Sequence, residues 1–216
     1  TANGPDTIRQ IVPHIHCALF SPDGKYIFAT DFSADRILRF TLSSEGNISH
    51  LPGEATDIAP DSGPRHLTFS PNGKFAYLIN ELSGKVITFG YTDGTLEQIQ
   101  SIAADSLQAR GSADIHLSPD GKFLYASNRL EGDGIAIFAV DTVNGTLTRA
   151  GYQSTGIHPR HFNITPNGKY LLAACRDSNV IQIYERDTEN GLLKDTQQDI
   201  LIDKPVCVQF IPPFHN

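Results

Sequence analysis

Ser21-Pro22-Asp23-Gly24-Lys25 returns as Ser70-Pro71-Asn72-Gly73-Lys74, as Ser118-Pro119-Asp120-Gly121-Lys122 and as Thr165-Pro166-Asn167-Gly168-Lys169. From Pro22 to Pro71, Pro119 and Pro166 the steps are 49, 48 and 47 residues, so one structural unit is repeated at a tight period. Each copy reads as a turn: Pro presets φ, Asp or Asn tolerates the next position, and Gly takes the left-handed one. Such a turn joins two antiparallel strands. Around the second copy they are His66-Leu67-Thr68-Phe69 and Phe75-Ala76-Tyr77-Leu78-Ile79.

Further turns follow at Ser83-Gly84-Lys85 and Asp93-Gly94, with apolar runs at Val86-Ile87-Thr88-Phe89 and Leu96-Glu97-Gln98-Ile99. The later copies carry Asn144-Gly145 and Glu189-Asn190-Gly191 in the corresponding place. Four short strands per repeat, evenly punctuated, predict an all-β fold: a β-propeller of four-stranded antiparallel blades. Helical periodicity is missing over any useful length, which excludes a helical solenoid. The chain reads as one propeller domain over 1–216, with repeats at 14–62, 63–110, 111–157 and 158–204. A closing strand is expected at 205–212, around Val206-Cys207-Val208-Gln209-Phe210. Seven blades at this period need roughly 340 residues. The sequence therefore reads as about four blades of a seven-bladed ring, incomplete at its N-terminus, with open blade edges available for self-association.

The chain has 216 residues, 39% hydrophobic and 19% charged, which is globular rather than disordered or collagen-like. Its formal net charge of −7 excludes a phosphate-backbone binder of the usual basic kind, so no nucleic-acid partner is expected. No apolar run approaches the ~20 residues of a membrane span. The opening residues are polar and turn-like, without a signal-peptide pattern, although a leader on a missing N-terminus is compatible with the sequence. Cys17, Cys175 and Cys207 are odd in number and lack metal-type spacing. They read as buried free thiols in a reducing compartment, and the cytoplasm is the expected location.

In a hairpin, the start of the first strand and the end of the second share an edge, and in a propeller that edge rims the central channel. First-strand starts carry His14 and His16, Arg65 and His66, Asp114 and His116, then His158, Arg160 and His161. Second-strand ends carry Asp31, Asn80 and Glu81, Asn128 and Arg129, then Arg176 and Asp177. Six of the eight histidines fall at this one level. Any single one reads as a blade-locking residue, His116 with Asp114 above all. The set reads as a site for an anionic, oxygen-rich ligand, since the arginine fork grips phosphate or carboxylate with paired hydrogen bonds. Histidines from several blades could also ligate zinc, and His14 and His16 have a same-face spacing. The arginines beside them oppose a cation, so no metal is expected. Neither a G-x-S-x-G elbow nor a phosphate-binding glycine loop is present.

At these residues the chain resembles the 6-phosphogluconolactonase family of seven-bladed propellers, which includes the fungal carboxy-muconate lactonizing enzymes. The matching stretches are Gly63-Pro64-Arg65-His66, Asn80-Glu81-Leu82, Ala113-Asp114-Ile115-His116, Asn128-Arg129 and Pro159-Arg160, with His16 six positions before its turn proline. The resemblance runs along essentially the whole chain and covers only the C-terminal portion of a family member. It implies a lactone opened by water, or formed from a carboxylate, at the channel mouth, within carbohydrate metabolism. The catalytic set it implies is similar to His16, Arg65, Glu81 and Arg129, with no cofactor. Substrate contacts are expected from His66, Asn80, Asn128, Arg160 and His161, the last two toward a phosphate. The partner is then a small anionic sugar lactone or carboxylate.

Hydrolysis needs a base for water, and Glu81 and His16 both qualify if their surroundings tune them. Arg65 and Arg129 would stabilise the oxyanion or hold the anionic group. Two rival readings stand beside this one. An isomerase would use the same residues on a dicarboxylate, and a binding scaffold would hold a ligand at the rim unchanged.

Overall fold

A computed structural model describes residues 3–211, with backbone alone for 50–54. The first sheet runs β1 (Ile15–Phe20), β2 (Tyr26–Asp31), β3 (Arg36–Leu42) and β4 (Ile48–Asp57). The second runs β5 (Pro64–Phe69), β6 (Phe75–Asn80), β7 (Lys85–Thr92) and β8 (Thr95–Ala103). The third comprises β9 (Ile115–Leu117), β10 (Phe123–Asn128), β11 (Gly134–Val140) and β12 (Leu147–Ser154). The fourth comprises β13 (Pro159–Ile164), β14 (Tyr170–Cys175), β15 (Val180–Arg186), β16 (Leu193–Asp195) and β17 (Ile200–Leu201). Each sheet pairs its strands in chain order and antiparallel, the arrangement of a propeller blade. In the fourth blade the outer strand is broken, and β16 and β17 pair successive parts of β15.

The repeated turns form as their residues dictate. Gly24 N–H bonds the Ser21 carbonyl, Gly73 that of Ser70, Gly121 that of Ser118 and Gly168 that of Thr165. The glycines sit at φ of 69 to 71°, where a side chain would be strained.

Blades adhere through alternate faces of their second strands. All six residues of β6 and of β10 are buried. Ala76 and Leu78 of β6 pack with Phe28 and Ile37 of the first blade. Phe75, Tyr77 and Ile79 turn the other way, onto Leu124, Ala126 and Phe138 of the third. Phe123 and Tyr125 of β10 then meet Phe162, Leu171 and Tyr184 of the fourth. A strand buried on both faces has no solvent side, which is why these runs are apolar up to their last residues, Asn80 in β6 and Ser127 and Asn128 in β10. The Tyr77 and Tyr125 hydroxyls donate to the Gly145 and Gly191 carbonyls of the next blade's outer turn. A Cβ at Gly145 would stand 2.4 Å from the Phe75 ring, so only glycine lets the blades close up there.

Outside these interfaces, Tyr170, Leu172 and Ile183 are the repeat counterparts of Phe123, Tyr125 and Ile137. They line a cavity of about 600 Å³ on the outward face of the fourth blade.

Two expectations are corrected. Residues 205–211 form no strand, and position 212 lies outside the described residues. Val208 instead bonds side chains: its N–H donates to His161 Nδ1 at 3.2 Å and its carbonyl accepts from Asn163 Nδ2 at 3.1 Å. A ladder needs a backbone edge, and this segment meets imidazole and amide groups. The thiols are all free, but only Cys175 is buried; Cys17 is half-buried and Cys207 exposed. Among the described residues no helix is long and apolar enough to cross a membrane.

Candidate active site

The innermost strands β1, β5, β9 and β13 neighbour one another and carry the site. Six residues before each turn proline stand His16, Arg65, Ala113 and Arg160. In three blades that residue is skipped by the ladder. Pairing passes from Ile15↔Asp31 to Cys17↔Thr30, from Pro64↔Asn80 to His66↔Ile79, and from Pro159↔Cys175 to His161↔Ala174. A bulge releases one residue from the pleat and re-aims its side chain. His16, Arg65 and Arg160 are the residues released. Ten positions after the turn prolines stand Phe32, Glu81 and Arg129. All six line one cavity of about 390 Å³, together with Arg9 and His14.

Glu81 organises this cavity. Arg65 Nε donates to Oε2 at 2.7 Å, Arg129 Nη2 lies 3.0 Å from Oε1, and Arg9 Nη2 donates to Oε1. Burial raises the Glu81 carboxyl, but Arg129, Arg65 and Arg9 together outweigh it, and the group titrates below its ordinary range. Burial also pushes Arg65 down to about 10, which leaves it cationic at neutral pH. Arg65 Nη1 donates to the Ala113 carbonyl and faces His66 Nε2, and among the described residues Nη2 is uncommitted. Arg129 is braced from behind: Nε donates to the Gly111 carbonyl and Nη1 to His158 Nε2 at 3.1 Å. His158 Nδ1 in turn lies 3.3 Å from Asp177 Oδ2. Among the described residues Arg160 has neither an ion pair nor a hydrogen bond.

His16 bonds no other side chain among the described residues and meets the His66 ring edge-on at 5.0 Å. Its ring reaches the cavity. Partial enclosure, then the Arg65 charge, holds it far below the ordinary imidazole value, so it is neutral at physiological pH.

One residue further along each first strand the chemistry changes. His66, Asp114 and His161 occupy equivalent positions, five before the turn proline. Asp114 is 1% exposed and accepts from His66 Nδ1 at 2.6 Å, His116 Nε2 at 3.1 Å and the Ile115 and Phe162 main-chain N–H groups, with His161 Nε2 at 3.6 Å. Asp114, His116 and His161 lie close enough together to bracket a metal ion. The polarity is wrong for one, however. His161 Nδ1 accepts from Val208 N–H, which leaves the ring proton on Nε2, the atom a metal would need bare. A ligating imidazole ordinarily donates from its other nitrogen. The cluster is a hydrogen-bonded hub that ties three blades together.

The sequence-derived set therefore divides. His16, Arg65, Glu81, Arg129 and Arg160 are brought to one cavity. His66 and His161 are turned to Asp114. Asn80 and Asn128, expected at the substrate, are fully buried and brace loops: Asn80 Nδ2 donates to the Lys85 carbonyl and Asn128 Nδ2 to that of Ala104. Their amides serve the backbone groups that a blade's rim leaves unpaired. Sequence reasoning missed Arg9 and Phe32. Phe32 follows from the repeat position it shares with Glu81; Arg9 precedes the first repeat, and no periodic signal reaches it.

Residues 1–210 match the family described as Lactonase, 7-bladed beta-propeller. The chain is similar to a Formosa agariphila protein named 6-phosphogluconolactonase, 41% identical over 221 residues, which cover 100% of this chain and 63% of that protein. A solved structure from Bacteroides uniformis is 72% identical, with a TM-score of 0.96 over 98% of this chain and 62% of that one. The Pseudomonas aeruginosa periplasmic gluconolactonase PpgL is 34% identical, with a TM-score of 0.92 over 98% of this chain and 61% of that one. The chain thus spans about three fifths of the length of the relatives it matches.

Proposed function

This chain belongs to the seven-bladed β-propeller lactonase family, and we propose that its protein opens a sugar δ-lactone with water, with 6-phosphogluconolactone as the substrate. The observation that carries this is the convergence of His16, Arg65, Glu81, Arg129 and Arg160, from four blades, on one cavity. The relative named 6-phosphogluconolactonase supports the substrate.

Water adds to the lactone carbonyl carbon, the ring C–O bond breaks, and the ring oxygen takes a proton to give the hydroxy acid. The uncommitted Nη2 of Arg65 and the remaining N–H groups of Arg129 suit the oxyanion that forms on the carbonyl oxygen. Arg160, without a hydrogen bond or ion pair among the described residues, suits the phosphate. Between the two candidate bases the geometry favours His16. Both Glu81 oxygens are taken by three guanidiniums, so they are committed to the protein rather than presented to a water. His16 is neutral and its ring bonds no other side chain among the described residues; burial first and the Arg65 charge second depress it, and an anionic substrate offsets the second. Glu81 then serves to lock Arg65 and Arg129 in place.

The test is base consumption by fresh 6-phosphogluconolactone, above its spontaneous hydrolysis, with the full-length protein and its Arg65→Ala variant. Acceleration that the variant loses by a hundredfold or more, on the order expected for an oxyanion donor, supports the reading. No acceleration by the wild type sinks it. Turnover of a carboxymuconate instead would favour the isomerase.

A further inference from the structure

The segment 4–13 precedes the first blade, yet it is built with the care of a functional element. Asp6 Oδ1 accepts the Ile8 and Arg9 main-chain N–H groups at 3.0 and 2.9 Å, closing a tight turn. Gln10 is fully buried: its Nε2 donates to the Phe32 carbonyl at 2.9 Å and its Oε1 accepts from Asp6 N–H at 3.1 Å. Arg110 fastens the turn to the rim, reaching Asp6 Oδ2 at 2.8 Å and both oxygens of Asp61 at 2.7 and 2.8 Å. The product of this bracing is one side chain held over the pocket. Arg9 Nη1 donates to the Arg110 carbonyl at 2.7 Å, its guanidinium lies 5.7 Å from the Phe32 ring centroid, and Nη2 meets Glu81.

Glu81 does not require this third cation, since Arg65 and Arg129 already serve both of its oxygens. Arg65 and Arg129 have side chains only 2% and 6% exposed, whereas that of Arg9 is 33% exposed and keeps N–H groups to spare. With Arg160, the cavity carries four arginines against one carboxylate. A neutral lactone would leave that excess uncompensated; a lactone bearing its own dianionic group would not.

We propose that Arg9 is a specificity-determining residue: together with Arg160 it grips the anionic substituent of a charged lactone, and so selects phosphorylated over neutral sugar lactones. The substrate class rests on the lactonase reading above; the charge selection rests on the strap and its arginine.

The experiment is calorimetric titration of the full-length protein with 6-phosphogluconate and with gluconate, the stable open-chain acids. Wild type, Arg9→Gln, Arg9→Ala and Arg9→Lys are compared, each checked by thermal melting. The wild type is expected to prefer the phosphorylated acid by about tenfold or more, in line with a charge-assisted contact. Arg9→Gln and Arg9→Ala should erase most of that ratio with gluconate binding little changed, and Arg9→Lys should keep part of it. Arg9→Gln, which can still hydrogen-bond Glu81, decides the matter if Arg9→Ala does not fold. A ratio unchanged in Arg9→Gln, an equal loss for both acids, or no preference in the wild type overturns the proposal. Selective binding without any lactone turnover would instead overturn the lactonase reading and leave the role of Arg9 standing.

Discussion

Glu81 at the channel mouth and Asp114 in the neighbouring blade are both buried carboxylates, 8% and 1% exposed, and each is ringed by basic side chains, some from its own blade and some from outside it. Their partners differ. Glu81 is held by guanidiniums, each with five N–H donors and a permanent charge, so the ring around it keeps donors to spare, and they face a cavity. Asp114 is held by imidazoles and main-chain N–H groups, and each of these offers it a single N–H. Once given, nothing remains for a ligand. A cluster of polar residues in a channel becomes a binding site when its donors outnumber its own acceptors, and otherwise it is a strut.

The largest effect expected from this contrast is on the strut. Asp114→Asn leaves the volume unchanged but removes the charge and one acceptor from a fully committed network. It should cost about 3–5 kcal/mol of stability, read as a fall in melting temperature, because the donors around it stay buried. Folded variant protein should retain kcat within roughly tenfold. The mouth should respond the other way: Arg65→Ala loses activity out of proportion to its melting shift. If Asp114→Asn melts like wild type, or Arg65→Ala loses stability alone, the division between strut and site collapses.

Acid should separate the two regions more finely. Burial lowers His161 and His158 below the ordinary imidazole value, so the unfolded chain takes up those protons first. Stability should therefore begin to fall as pH drops below about 6.5. Asp114 titrates far below its ordinary value: burial opposes this, but His116 and His66 outweigh it. Its contribution is complete above about pH 4 and is lost below. Denaturant melts of wild type and Asp114→Asn from pH 7 to 3 should run apart at high pH and converge below about 4. Parallel curves throughout would mean that the Asp114 carboxylate is not the source of the difference.

The propeller is legible in the sequence because its turns repeat and its second strands are apolar over most of their length, Phe75–Asn80 and Phe123–Asn128 above all. The level of the site is legible as well, since the same repeat positions carry His16, Arg65 and Arg160. Strand periodicity alone could not separate Arg65 from His66 or Arg160 from His161. Two adjacent residues ordinarily face opposite ways, and only the bulge decides which of them leaves the ladder. Asn80 and Asn128 read as substrate contacts because an amide suits either job; the loop carbonyls they satisfy are set by tertiary packing. Arg9 lies outside the repeat, and its position follows from Gln10 and Arg110, contacts about 20 and 100 residues away in sequence.

The smallest effect expected also tests the mouth most directly. If Glu81 were the base, Glu81→Gln would abolish turnover and erase the acid limb of the pH–rate profile. If Glu81 positions Arg65 and Arg129, the amide keeps one acceptor oxygen, and the arginines lose charge compensation rather than all contact. The loss in kcat/KM should then be roughly tenfold, about 1.4 kcal/mol. With a negative charge gone from beside His16, its conjugate acid becomes less stable, so the acid limb should survive and move to lower pH. A His16→Asn variant should lack that limb. A limb that vanishes with Glu81→Gln and persists in His16→Asn would return the base to Glu81, and the mouth would then hold a reactive carboxylate that its three arginines tune rather than silence.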